Sequence, residues 1–452
     1  MANIPDIDRQ AAVFSFVGCS FNPVNGTALL RYDVDGLALQ ETIVFPSEPW
    51  PADASRQAAF LQALELLHLI AGISYYKAGL ARSINTADIR IDGPTAGFLN
   101  ELYLQGLGEF AFVNRLDLSQ LINFEVNMVG ETKPSATASM PLDLPERALV
   151  AMGGGKDSLV CLQVLREARI EVQPACVGGS ELIGETVKAA QLPLLRMQRK
   201  IAPQLAELNA AGAWNGHIPV TAINSAILVC AAVLYGYRYV VFANESSANE
   251  ATMTDDQGQE INHQYSKSLA FEKSFREVIR RRISPDIEYF SLLRQMSEIA
   301  IASHFAKLGS FHPVFSSCNR NFHLDGSRIE GRWCQNCPKC RFAALALAPF
   351  LSPQQLLAIQ GVDLLDQLEQ LPGFKALCGV DEDKPFECVG SIAESRAAMK
   401  YLASDQQWRS KKVIKALADF PEIKNSRGLE LEADAEAEHC IPPSILAKLD
   451  AF

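Results

Sequence analysis

Apolar and polar residues alternate along two short runs near the N-terminus, Thr27 to Val34 and Leu37 to Phe45. Alternation of period two predicts half-buried strands, and the Asp35-Gly36 pair between them predicts a hairpin turn. From Ala54 to Gly79 the apolar positions recur at spacings of three and four, which predicts a long helix. His68 lies on that pattern and reads as a core or boundary histidine rather than a ligand. From about residue 146 the pattern becomes strand, helix, strand, helix: "ALVAM", "DSLVCLQVLREAR", "EVQPACVGG", "PVTAINSAILVCAAVLYG" and "YRYVVFA". Beyond about residue 346 helical patterns follow one another between Pro and Gly breaks, and the acidic run Leu429 to His439 reads as a solvated helix face.

These patterns predict an α/β protein in three regions. An α+β N-terminal domain covers 1–145, a parallel sheet with helices on both faces covers 146–345, and a helical C-terminal region covers 346–452. A chain of 452 residues agrees with two or three domains. The net charge of -11 opposes a protein that grips nucleic-acid backbones, so no nucleic-acid partner is expected. The local basic run 278–286 can hold a phosphate but reads more simply as a solvated helix face. No secretory signal is read in the sequence, nor an apolar segment long enough to span a bilayer, so a cytoplasmic protein without a membrane partner is expected. Eleven cysteines, scattered except for one cluster, fit a reducing compartment.

In such folds ligands sit at the carboxyl ends of the strands. Directly after the first strand of the second region stand Gly153, Gly154 and Gly155, then Lys156, Asp157 and Ser158. This is no Walker loop, because Asp157 follows the lysine, and no dinucleotide fingerprint, because Ser158 falls at its third glycine. Glycines there let backbone N–H groups converge on an anion, and the helix start adds positive potential. Lys156 offers a charge and Ser158 a hydroxyl; the plainer reading is a tight turn with Asp157 as N-cap. Asn244 and Glu245 follow another strand's end, where polar groups reach nucleotide, metal or substrate. His217, Thr221, Asn224 and Ser225 stand at a helix entrance, and for all of these capping is a reading of equal weight.

Cys318, Cys334, Cys337 and Cys340 form the second motif, with fifteen residues between the first two and two between each later pair. Thiolates at this spacing can close a tetrahedron, and a structural zinc is the leading choice over an iron–sulfur cluster or an empty thiol site. His312 and His323 lie close by in sequence but are not needed as ligands.

The order Gly-Gly-Gly-Lys-Asp-Ser resembles the Ser-Gly-Gly-x-Asp-Ser loop of the PP-loop ATP pyrophosphatases, with Gly153 where that family has serine. The resemblance implies a PP-loop (HUP-like) core that binds ATP with magnesium at 153–158, seats adenosine near Gly178, and cleaves between the α and β phosphates. Queuosine-precursor synthases, another PP-loop group, carry a comparable cysteine cluster, which implies a structural metal. Five segments, Leu102 to Asn114, Ala151 to Ser158, Asn262 to Ser268, Trp333 to Phe342 and Lys384 to Ser391, resemble the ATP-dependent UDP-N-acetylmuramoyl-L-alanyl-L-glutamate epimerase (MurL) family, and the similarity runs over nearly the whole chain.

That resemblance implies an enzyme of peptidoglycan precursor synthesis. It would take a UDP-muramoyl dipeptide, adenylate the terminal L-glutamate, invert it to D-glutamate, and release AMP and pyrophosphate. Asp157 would be needed for turnover, and His263, Lys267 and Cys388 are candidates for the base that moves the α-proton. For Cys388 the alternative is a buried small hydrophobe, and His217 can equally hold a phosphate. Two other readings stay open: a PP-loop ligase that amidates or thiolates its acceptor, and a non-catalytic nucleotide-binding zinc module.

Overall fold

The structure, a computed structural model, describes residues 10–46, 50, 51, 53–127, 139–254, 258, 260–322 and 329–449. Val13–Asn22 (β1), Thr27–Val34 (β2) and Leu37–Val44 (β3) form an antiparallel meander. Asp35 and Gly36 join β2 to β3 with φ of 48° and 89°, the left-handed pair that a two-residue hairpin demands. Ser83–Asn85 (β4) adds to the outer edge of β1.

Asp53 accepts from the Ser55 and Arg56 N–H groups to start Ala54–Ala71 (α1), and Ile73–Gly79 (α2) continues it beyond Gly72. Against the sequence expectation, this 54–79 run is long and apolar enough by length and composition to cross a bilayer. Its few charged residues, such as Glu65 and Lys77, interrupt the run in sequence but leave a mean hydropathy of 1.4 in its most apolar window. In the fold 78% of its most apolar window is buried inside the protein. His68 is a core histidine, as expected: its Nε2 lies 2.9 Å from the Arg31 carbonyl, and burial pushes its pKa down to about 4. Gly93–Gly106 (α3) and Gly108–Asn114 (α4) complete the N-terminal helices.

The second region alternates as predicted. Arg147–Ala151 (β5), Lys156–Glu167 (α5), Glu171–Val177 (β6), Glu181–Ala189 (α6) and Leu195–Lys200 (β7) come first. Gln204–Ala210 (α7), Val220–Tyr235 (α8), Tyr239–Phe242 (β8), Leu269–Arg282 (α9), Glu288–Ser291 (β9) and Glu298–Ala306 (α10) follow. Strands β9, β8, β5, β6 and β7 run parallel in that spatial order. The chain leaves β5 toward β6 on one side and later returns to β8 on the other, so the carboxyl end of β5 is a topological switch point, where such sheets open a crevice.

The sheet does not stop at β7. Thr42, Ile43 and Val44 of β3 pair antiparallel with Lys200, Arg199 and Gln198, giving one sheet of nine strands. At this seam Arg199 donates to both oxygens of Glu41 at 2.6 and 3.0 Å, Tyr75 donates to the same carboxylate, and Glu41 is wholly buried. Core residues divide between the faces: Leu149, Ala175 and Val240 belong to one apolar cluster, Ala148, Val150, Cys176 and Val241 to the other.

Pro338–Leu347 (α11), Pro353–Gln360 (α12), Leu371–Cys378 (α13) and Ile392–Ser404 (α14) make the helical tail and pack in the second cluster. Two expectations need correction. Residues 429–439 are not helical; they form a strap whose backbone bonds Gln295 and Ser297 side chains, so the helical ladder is replaced by tertiary partners. The basic run is not wholly solvated either: Arg282 is buried and donates to the Arg90 carbonyl at 2.7 Å and to Glu65 of α1 at 3.3 Å, tying α9 to the N-terminal region.

Candidate active site

The glycine run leaves β5 at the switch point. Gly154 has φ of +77°, and a Cβ there would stand 3.3 Å from Ile183, so only glycine suits. At Gly153 a Cβ would meet nothing, so the missing serine reflects no steric bar. Gly155, not Asp157, is the N-cap of α5, and no side chain caps that end. The plain-turn reading is therefore corrected, and the first N–H groups of α5 remain available to an anion. Ser158 donates to the Gly155 carbonyl at 3.2 Å. Lys156 is buried and its ammonium is clasped by the Asp157 and Glu298 carboxylates. Burial alone lowers the Lys156 pKa, but the two carboxylates outweigh it and hold the proton firmly. Glu298 is itself placed by Glu394 of α14, whose carboxylate accepts from the Glu298 N–H.

Beside this loop lies a cleft of about 380 Å³, lined by Gly153, Gly155, Lys156, Asp157, Ser158, Asn244, Glu245 and Glu298, and also by Ser317 and Lys339. Asn244 donates to Ser291 at 2.9 Å, and Glu245 accepts from Ser247 at 3.2 Å. Thr221 and Asn224 also line it, but Ser225 is buried against Tyr289 and belongs to the core. Gly178 stands next to Val177, which lines the cleft; its N–H and C=O bond Met197 and Arg196.

A second cavity of about 820 Å³ adjoins the first. It is lined by Glu109, His217 and His263, and it shares Thr221, Gln264, Lys267 and Cys388 with the first. The three proposed base candidates therefore gather at one partition. His263 Nδ1 makes a short hydrogen bond to Glu109, His217 Nδ1 lies 3.3 Å from the same carboxylate, and the two rings stand 4.5 Å apart. His263 and Cys388 line the same cavity, and the ring of Phe386, two residues before Cys388, stands 6.3 Å from the His263 ring. Lys267 donates to Gln264 at 3.2 Å.

Charge dominates this partition. Burial pushes the Cys388 thiol up, but the positive charges of Lys267, His263 and Lys339 together bring it down to about 5. Burial lowers His263, while Cys388 and Glu109 raise it to about 9. Burial also lowers Lys267, while Cys388 and Glu245 hold its proton well above the usual range. His217, desolvated and beside His263, falls to about 4. Cys388 thus carries a charged environment that an inert apolar cysteine lacks. Glu109, Glu298 and Lys339 escaped the sequence reading as site residues; each is distant in the chain from its partners, and Glu298 follows the N-cap Ser297 like an ordinary first-turn acid.

The cysteine cluster closes beside the first cleft. Sγ separations are 4.0 Å for Cys318–Cys337, 3.8 Å for Cys334–Cys340 and 3.4 Å for Cys337–Cys340, and all four sulfurs lie within 4.8 Å. Tetrahedral zinc with Zn–S of about 2.3 Å needs sulfurs about 3.8 Å apart, so this donor set fits the ion. Ser316 N–H donates to the Gly154 carbonyl at 3.1 Å, which ties the cluster's first arm to the glycine loop. His312 stacks near Phe305 and bonds its carbonyl, while His323 lies outside the described residues.

Sequence comparison matches residues 6–292 to the MurL N-terminal domain and residues 314–430 to the MurL C-terminal domain. A UDP-N-acetyl-alpha-D-muramoyl-L-alanyl-L-glutamate epimerase from Xanthomonas oryzae pv. oryzae is 45% identical over 447 residues, 98% of each chain. A protein of the same name from Salinispora tropica is 41% identical over 420 residues, 91% of this chain and 89% of its own. A third, from a Micromonospora species, is 40% identical over 444 residues, covering 96% and 97%.

Proposed function

Because this chain belongs to the MurL family of epimerases, we propose that it inverts the terminal L-glutamate of UDP-N-acetylmuramoyl-L-alanyl-L-glutamate, at the expense of ATP. The observation that carries the ATP-dependent reading is the pair of adjoining cavities with Lys267 and Cys388 in their common wall. The glycine-loop cleft suits the nucleotide, with the open α5 start for its phosphates, as in PP-loop enzymes. The larger cavity suits the dipeptide end of the acceptor.

Activation explains the need for ATP. Removing the α-proton of a free carboxylate builds a second negative charge beside the first. Joining that carboxylate to the α-phosphate expels pyrophosphate and leaves an acyl-adenylate whose enolate can delocalise. His263, Lys267 and Cys388 then stand at the partition where the α-carbon would lie, and proton removal and return on opposite faces inverts the centre. Hydrolysis releases AMP and the D-epimer.

Asp157, Glu245 and Glu298 line the cleft with carboxylate oxygens of the kind that suit magnesium, and Asp157 and Glu298, which clasp Lys156 in this structure, would have to turn toward the ion to ligate it. When bound, the ion neutralises phosphate charge. Zinc in the four-cysteine cluster is structural in this reading, contributing to folding. A soluble UDP-linked acceptor places the enzyme in the cytoplasm, with no nucleic-acid or membrane partner required.

Incubation with the UDP-muramoyl dipeptide and ATP in heavy water should give AMP, pyrophosphate and D-glutamate carrying deuterium at the α-carbon. Without ATP there should be no exchange. Asp157→Ala should abolish AMP formation while the melting temperature stays close to that of the parent. ADP as the acceptor-dependent product, or inversion without ATP, would contradict the reading.

A further inference from the structure

We propose that Cys388, His263 and Glu109 form a nucleophilic relay, and that Cys388 accepts the activated glutamyl group as a thioester before its α-proton is exchanged. This rests on the adenylation proposed above.

The geometry is that of an oriented nucleophile. Glu109 fixes one ring nitrogen of His263, and Cys388 faces the same cavity as that ring, with Phe386 beside it 6.3 Å from the imidazole. A carboxylate, an imidazole and a thiol linked in this order are the elements of an activated cysteine on many folds. Cys388 also belongs to both cavities, so its sulfur stands where an acyl group made on the nucleotide side can be received and carried to the other side. It is only half-buried, unlike the core cysteines Cys161, Cys230 and Cys378. Lys267 and Lys339 line the same cleft and favour the thiolate.

The chemistry separates a nucleophile from a base. A thiolate stabilised by three cations has little affinity for a carbon-bound proton, yet it remains a competent nucleophile. His263, paired with that thiolate, holds its proton and cannot serve as a base either. Acylation resolves both difficulties. The sulfur lone pair forms the C–S bond, the C–O bond to the phosphate breaks, and its electron pair leaves on AMP. The negative charge of sulfur is consumed, His263 loses one of the two anions that raise its pKa while Glu109 keeps the ring oriented, and the weakened imidazolium passes its proton to solvent. The neutral imidazole can then take the α-proton of the thioester. After reprotonation, water attacks the carbonyl, the C–S bond breaks with its electrons on sulfur, and the thiolate returns.

The test is rapid acid quench of the wild-type enzyme turning over the UDP-muramoyl dipeptide with ATP, followed by intact mass and peptide mapping. We expect an adduct equal to the dipeptide substrate less one water, on the peptide containing Cys388, released by hydroxylamine at neutral pH. Cys388→Ala and Cys388→Ser should each lose the adduct and slow α-deuterium exchange about a hundredfold or more. Both should still exchange labelled pyrophosphate into ATP when the dipeptide is present, which also reports that they are folded. Glu109→Gln should shift the alkaline limb of the pH–rate profile of acylation to lower pH, and Glu109→Asp should restore it in part. Pyrophosphate exchange and inversion with no adduct at any quench time, or inversion at near wild-type rate in Cys388→Ala, overturns the thioester and leaves adenylation standing. Absence of both AMP and pyrophosphate exchange in the wild type overturns the two together.

Discussion

A thiol removed from water keeps its proton, and Cys388 inverts that tendency because Lys267, His263 and Lys339 act on it together. In the proposed relay the thiolate and imidazolium coexist between the pKa of Cys388, about 5, and that of His263, about 9. Below the lower value the thiolate is protonated and above the upper value the imidazolium is lost, so turnover should rise through about pH 5, hold, and fall through about pH 9. The two limbs belong to the coupled pair rather than to either residue alone. Lys267→Met removes the largest opposing charge, so the acid limb should move to higher pH. An unmoved limb in initial-rate profiles of that variant would show that the lysine does not set the thiol's charge.

At the scale of elements, the four-cysteine cluster is the joint between α11 and the segment that bonds the glycine loop through Ser316 and Gly154. Cys334→Ser should lose bound zinc, lower the melting temperature, and weaken ATP binding through that joint; metal analysis, thermal unfolding and nucleotide titration check the three. Unchanged ATP affinity in a zinc-free, folded variant would disconnect the two. This region was legible in the sequence because its determinants are local. Strand β5, the glycines and α5 follow one another without a break, the Asp35-Gly36 turn needs only its own two residues, and the cysteine spacing contains the cluster. What was not legible depends on packing. Glu109 meets His263 across 154 positions and Glu298 meets Lys156 across 142, and neither acid carries a local mark. The strap at 429–439 has a helix former's composition, yet Gln295 and Ser297 offer its backbone better partners than its own turns would.

For the molecule as a whole, the seam between β3 and β7 decides how it behaves. The N-terminal meander and the parallel strands are one sheet, so strand pairing joins them directly. Glu41→Ala strands a buried arginine at that seam and should cost about 3–5 kcal/mol, whereas an exposed pair such as Lys273–Glu438 should be worth far less. Denaturant unfolding should show one transition at a lower midpoint; two separated transitions would mean that the sheet is not cooperative across the seam. The partition between the cavities is assembled late in the chain as well. Glu109, His263 and Lys267 leave the ribosome long before Cys388, and α14 must follow before Glu394 can dock on the start of α10. The partition is thus incomplete until the last part of the chain has emerged, and a polypeptide that ends anywhere before residue 388 lacks the thiol that both cavities share.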